Sequence, residues 1–434
     1  MTPVPPCYYD DGLRQAVNVV RTTLPDESGQ CTYLRDGQGR IHVYVPSFTS
    51  TETIDLLEHN LRRVLGGYAP SFGPVVKDEP PVGEPSFLVI DDQRVRYIER
   101  RFSGTDWTHK PSPLATPPRL VFYSIKGGVG RTTALVILAT ALATKGLSVL
   151  VVDLDLEAPG LGSALLTPLE LPEFGALDWL VEKAVQDKSI LSPSQILSTS
   201  TIARDFGRID VVPAFGLRCL ENPTGVLSKL SRVVVESNNP VGMASFGSRV
   251  SELIDLLANT REYDCILVDA RAGLSEISAA PLLGLGADLL FFMTDSSQSF
   301  ATYAALLAHL QRFAPVYPDR SNEDDWRLRI KTVRGRVGNP SDPQAATIFN
   351  DRCYELFSNT IYDQEASSYD VDSFTFDPDD LEAPHSPIQV AFDPRYQNFE
   401  PLAFIDQGKQ DVFTPAFGAF IEWCSERMRV GKKR

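Results

Sequence analysis

Residues 123–133 read YSIKGGVGRTT, between the short apolar run LVFY (120–123) and the helix-forming stretch LVILATALAT (135–144). The pattern predicts a buried strand, a glycine-rich loop and a helix over about 132–144. Gly127, Gly128 and Gly130 let successive backbone N–H groups face one concavity, and the helix start adds the positive end of its dipole. Such a cradle suits a phosphate chain, with Thr132 offering a hydroxyl to a magnesium ion. The ordinary P-loop, G-x-x-x-x-G-K-S/T, fails here twice, at Ile125 and at Arg131. A turn made only for packing would give no reason for the string KGGVGRTT.

Outward from this loop, short apolar runs at 120–123, 149–152, 209–212, 265–268, 289–293 and 328–333 alternate with helical stretches such as 247–259. That alternation predicts an α/β unit with a mostly parallel, doubly wound sheet. Two of the runs end in carboxylates. LVVDLDLEAPG (150–160) places Asp153 and Asp155 just past a strand, and YDCILVDARAG (263–273) ends its apolar run at Asp269. Ligands of open α/β sheets sit at this edge. The plainer alternatives are a solvated strand end with a helix cap for the first and an ordinary core strand for the second.

Residues 119–434 are expected to form this unit, 108–118 a proline-rich linker, and 1–107 a smaller α/β accessory domain. Within the accessory domain, 41–45 reads as a strand. TSTE (49–52) reads as a capping box for a helix carrying Ile54, Leu57, Leu61, Val64 and Leu65 on one face, stopped at Gly66 and Gly67. Segments 87–90 and 95–102 read as a hairpin. The stretch 358–387 is acidic and weakly patterned, and a last helix is expected over about 414–428.

The chain has 434 residues, 43% hydrophobic and 22% charged, as expected of a globular protein. Its 41 Lys+Arg against 56 Asp+Glu give a net charge of −15, which offers no support for a surface coated by nucleic acid or membrane. Six scattered cysteines without a C-x-x-C pair fit reduced thiols, and neither a leader nor a long apolar run is seen, so a cytoplasmic setting is expected.

The loop KGGVGRT resembles the deviant Walker A motif, K-G-G-x-G-K-S/T, of the ParA/MinD-like P-loop ATPases, the resemblance extending over roughly 119–430. It implies ATP and Mg²⁺ as ligands, with Gly127, Gly128, Val129, Gly130, Arg131, Thr132 and Thr133 around the phosphates. By the same resemblance Lys126 reaches across a nucleotide-sandwiched homodimer, Asp155 positions or deprotonates the attacking water, and Thr132, Asp153 and Asp269 serve the metal. Arg271 and Gly273 fall in a switch-like segment. The departure is Arg131, where the family has a second lysine: charge is kept, but a planar guanidinium is larger and places its donors differently. The resemblance implies an ATPase that signals to a protein partner, the accessory domain being one surface for it, and the departure at Arg131 implies slow hydrolysis. The rival is an ATP-sensing scaffold with little or no hydrolysis. Similar loops with an appended domain also look like components of bacterial conflict and antiviral defence systems, by analogy alone.

Other clusters have simpler readings. Arg94, Arg96, Arg100 and Arg101 fit a charge-protected edge strand. The stripe of Phe417, Phe420, Ile421, Cys424 and Met428 before the basic tail fits the core face of a last helix better than a membrane-binding one. Residues 293–300 fit a polar helix cap. Arg334, Arg336 and Asn339 are weak candidates for flanking a base, and ATP is the default nucleotide because no N-K-x-D or T-K-x-D string occurs.

Overall fold

A computed structural model describes the chain apart from residues 1–5, 78–85, 92, 102–103, 186–190, 236, 240–241, 316–324, 364–372 and 429–434. It divides into two compact units, Met1–Thr108 and His109–Arg434.

In the first unit, helices α1 (Tyr9–Thr23) and α2 (Thr51–Leu65) pack with a five-stranded sheet. Its strands are β1 (Thr32–Arg35), β2 (Ile41–Tyr44), β3 (Val75–Val76), β4 (Ser86–Ile90) and β5 (Gln93–Glu99), in the order β3-β2-β1-β5-β4. β4 and β5 pair as the expected antiparallel hairpin. Leu57, Leu61 and Leu65 are buried, while Ile54 and Val64 are half-buried. The cap of α2 differs from the expected box: the Ser50 hydroxyl accepts from Thr53 N at 3.2 Å, and Thr49 donates instead to Glu27 at 2.8 Å. Gly66, at φ 55°, ends the helix in a conformation that favours glycine. The charged-edge reading of Arg94 and Arg96 is also corrected. β5 lies inside the sheet and β4 forms the edge; Arg94 stacks on Phe87 across the hairpin, 3.9 Å from the ring centroid.

The second unit is the expected doubly wound α/β domain. Its sheet runs β15-β14-β13-β6-β12-β7-β9-β8, formed by β6 (Arg119–Ser124), β7 (Ser148–Leu154), β8 (Ser198–Thr199), β9 (Arg208–Val212), β12 (Cys265–Ala270), β13 (Asp288–Met293), β14 (Ile330–Val337) and β15 (Ile388–Ala391). A separate hairpin, β10 (Ser237–Asn239) with β11 (Gly242–Ala244), lies outside it. All neighbours in the large sheet are parallel except β8 with β9. The chain runs from β6 outward to β7 and β9, returns to insert β12, then crosses to β13. The order therefore reverses around β6, and ligands of such sheets sit at the strand C-termini there.

Helix α3 (Arg131–Thr144) follows β6 and is apolar on all sides, with Ala134 to Ala143 all buried. It packs between the sheet and the last helix, Gln410–Arg427. From that helix Phe420 meets Phe122 and Phe292 at centroid distances of 6.1 and 6.0 Å, and Phe417, Ile421, Cys424 and Met428 are buried beside it. The stripe is thus a core face; the basic tail beyond Met428 lies outside the described residues. No helix among the described residues is long and apolar enough to cross a membrane.

Phe420→Ala is expected to destabilise the second unit by about 3–5 kcal/mol through the cavity it leaves. Leu227→Ala, at a 78% exposed position, is expected to stay within about 0.5 kcal/mol. Urea unfolding followed by circular dichroism checks both.

Candidate nucleotide site

Parallel pairing builds the site. Asp269 on β12 lies in register with Asp153 on β7 and Phe122 on β6, so two carboxylates and the glycine loop converge at one sheet edge. The loop turns through Gly128 (φ 75°) and Gly130 (φ 95°), backbone settings that favour glycine. A Cβ added at Gly127 or Gly128 would meet nothing within 4 Å, so the loop is open to solvent at these two positions. The first N–H groups of α3 have no intrahelical partner and open onto this end of the loop. Thr132 and Thr133 are half-buried there, and Lys126 is exposed.

The loop lines a cleft of about 410 Å³. Its opposite wall comes from much later in the chain: Arg336, Val390, Ala391, Phe392, Asp393, Tyr396, Gln397 and Phe417. Arg336 donates to Gly128 O at 2.9 Å and stacks on Phe392 at 5.2 Å. Of the weak base-flanking candidates only Arg336 lines the cleft. Arg334 pairs with Asp295 at 3.0 Å and stacks on Phe349, while Asn339 accepts from Ser341 N within a turn. The sequence carried no motif for Phe392 and Tyr396. Ser296 caps the helix Ser297–Leu310 by accepting from Ser299 N, the simpler reading of that segment.

Arg131 is among the residues that line the cleft. Its guanidinium is 7% exposed and turned towards the strand ends. It donates to Ser124 Oγ at 2.8 Å and Asp155 Oδ2 at 3.0 Å, and its Nε lies 3.3 Å from Asp269 Oδ1, too poorly aligned for a hydrogen bond. Asp155 also meets Arg271 at 3.4 Å, and Arg271 pairs with Glu157 at 2.6 Å. Thr132 Oγ1 donates to Asp269 Oδ2 at 2.5 Å. Asp153 accepts from the amides of Asp155, Gly160 and Leu161 at 3.1–3.2 Å. Burial drives the Asp153 carboxyl well above its ordinary range, and the Asp269 charge adds to this. Asp269 is also raised by burial, against the opposing pull of Arg131. Gly273, at φ 89°, ties the segment after β12 to β6 by donating to Ser124 O, and its own carbonyl accepts from the Tyr123 hydroxyl at 3.0 Å.

Two buried, side-by-side carboxylates and a threonine hydroxyl form an all-oxygen donor set, and Asp269 Oδ1 has no hydrogen-bond partner. These residues fit a hard cation such as magnesium, which takes few protein ligands and keeps phosphate and water oxygens. No group of three His, Cys, Asp or Glu side chains able to hold a metal alone occurs among the described residues.

Residues 120–309 match the family model of the CobQ/CobB/MinD/ParA nucleotide binding domain. Similar solved structures include a ParA family ATPase from Chlorobium tepidum TLS, at 18% identity and TM-score 0.43, covering 71% of this chain and 98% of that one. The cell division ATPase MinD of Pyrococcus furiosus follows at 16% and 0.42, covering 72% and 100%. A putative plasmid partition protein from Borrelia burgdorferi B31 bound to AMPPNP stands at 15% and 0.42, covering 74% and 100%. Comparison with curated proteins returns no match. The second unit carries a nucleotide-binding domain with the P-loop fold. The matched segment, residues 120–309, is similar to the ParA and MinD nucleotide-binding domains.

Arg131→Met leaves Asp155 and Asp269 buried without their shared cation and is expected to cost about 3–5 kcal/mol in urea unfolding. Adding Asp155→Asn is expected to restore part of that loss. Strictly additive losses in the double-mutant cycle would show that the two side chains are not coupled.

Proposed function

We propose that the protein is a Mg²⁺-dependent ATP-binding switch with slow hydrolysis, which dimerises around nucleotide and signals its state to a partner protein. The observation that carries this reading is the open glycine loop at the sheet's reversal point, with Thr132 hydrogen-bonded to Asp269 beside Asp153. The loop amides from Gly127 to Thr133 cradle the phosphates, and Thr132, Asp153 and Asp269 hold the metal, directly or through its water. The metal, when bound, supplies charge neutralisation on the phosphates. Lys126, exposed at the loop's start, is free to reach the nucleotide of a second copy. The wall of Arg336, Phe392 and Tyr396 offers stacking surface and a cation beside the base. The first unit is a candidate surface for the partner, and positioning of a complex or defence are settings suggested by analogy.

Slow turnover follows from the ties on Asp155. To orient or deprotonate water it must loosen from both Arg131 and Arg271. The same ties favour the second reading, a sensor that binds ATP without turnover.

Titration of ATP with Mg²⁺ by calorimetry is expected to show saturable binding, and no binding at millimolar nucleotide overturns the proposal. In sedimentation, ATP but not ADP is expected to convert monomer to dimer, and Lys126→Ala is expected to abolish this shift while nucleotide still binds. Arg131→Lys, which removes the guanidinium bond to Asp155 and leaves that of Arg271, is expected to raise phosphate release by about 10-fold or less if the slow ATPase is correct. A rise from no detectable turnover favours the sensor.

A further inference from the structure

A second groove, of about 510 Å³, lies beyond the nucleotide cleft and shares only Ala391 with it. It is lined by Lys331 on β14 together with largely apolar residues, among them Leu381, Ile388, Pro415, Ala416 and Trp423. Its size falls within the range of small-molecule sites. Lys331 is 4% exposed, and its ammonium donates to Leu381 O at 2.8 Å and Ala383 O at 3.0 Å. An ammonium has three donors, so one is left over. Asp380 and Glu382 act on it only through space, and no carboxylate pairs with it among the described residues. Burial, aided by Arg427 and opposed by Glu382 and Asp380, lowers its pKa from 10.5 to about 8. Near neutral pH the group is therefore still charged.

A cation held so deep without a counter-ion is costly. Tying β14 to residues 381–383 would need only a neutral donor, so a structural role leaves the charge unexplained. An anion entering the groove would supply the missing acceptor, and the apolar walls select for one with a hydrocarbon body. We propose that this groove binds a small organic carboxylate with an apolar body, paired with Lys331 and packed against Pro415, Ala416 and Trp423.

Octanoate, added to the 434-residue chain and followed by Trp423 fluorescence and calorimetry, is the probe; 1-octanol and inorganic phosphate are the controls. Octanoate is expected to bind saturably, with both controls about 10-fold weaker or more, the worth of one charge-assisted hydrogen bond or of the apolar contact. Lys331→Met is expected to bring octanoate down to the level of 1-octanol. Ala419→Phe, which narrows the groove from an exposed position on the last helix, is expected to abolish binding without lowering the melting temperature, and it tests the site should Lys331→Met fail to fold. Absence of saturable binding at about 10 mM, the weak limit of a specific small-molecule site, overturns the proposal. So does equal affinity for octanoate and octanol, equal affinity for phosphate, or undiminished octanoate binding in either variant.

Discussion

One guanidinium holds the strand ends together. Arg131 reaches back from the first turn of α3 to Ser124 at the end of β6, Asp155 just past β7 and Asp269 on β12. Without it, three carboxylates would crowd at one sheet edge with burial and mutual repulsion raising the energy of each ionised form. A lysine would offer its donors from a single nitrogen. The planar fork hydrogen-bonds Ser124 and Asp155 at fixed angles while its Nε edge faces Asp269, which gives a physical reason for arginine at this position.

That arrangement changes what the loop can contribute. The charge at position 131 is paired with Asp155 and faces Asp269, so unpaired positive potential at the cleft depends on Lys126, Arg336, the amides and the helix end. The chain as a whole is acidic, and attraction for a phosphate chain is therefore local to this cleft.

The half of the site nearest the loop was legible in the sequence because its parts are contiguous. Strand, glycine loop and helix fall in one short run, and the carboxylates terminate apolar runs whose parallel pairing brings Asp153 beside Asp269. The fold class followed from the same alternation. The opposite wall was not legible. β15 is four residues long and follows an acidic, weakly patterned stretch, so no periodicity marks Ile388–Ala391 or the Phe392 and Tyr396 that come after it. Nor could spacing reveal which way Arg131 turns, since a motif fixes the position of the backbone and leaves the rotamer to the neighbours. The edge-strand reading of Arg94 and Arg96 failed for a related reason: charge on one face of a strand does not say whether another strand pairs beyond it.

The burial of α3 on every side limits how the molecule can respond to a bound ligand. A helix enclosed by the sheet and by the aromatic face of the last helix cannot tilt or slide without opening voids in close-packed surroundings. It behaves as an anvil. Displacement is left to the polar segments after β7 and β12, which Asp155, Glu157 and Arg271 link to one another. If the chain acts as the proposed switch, a change at an occupied cleft would leave the domain by those two rims.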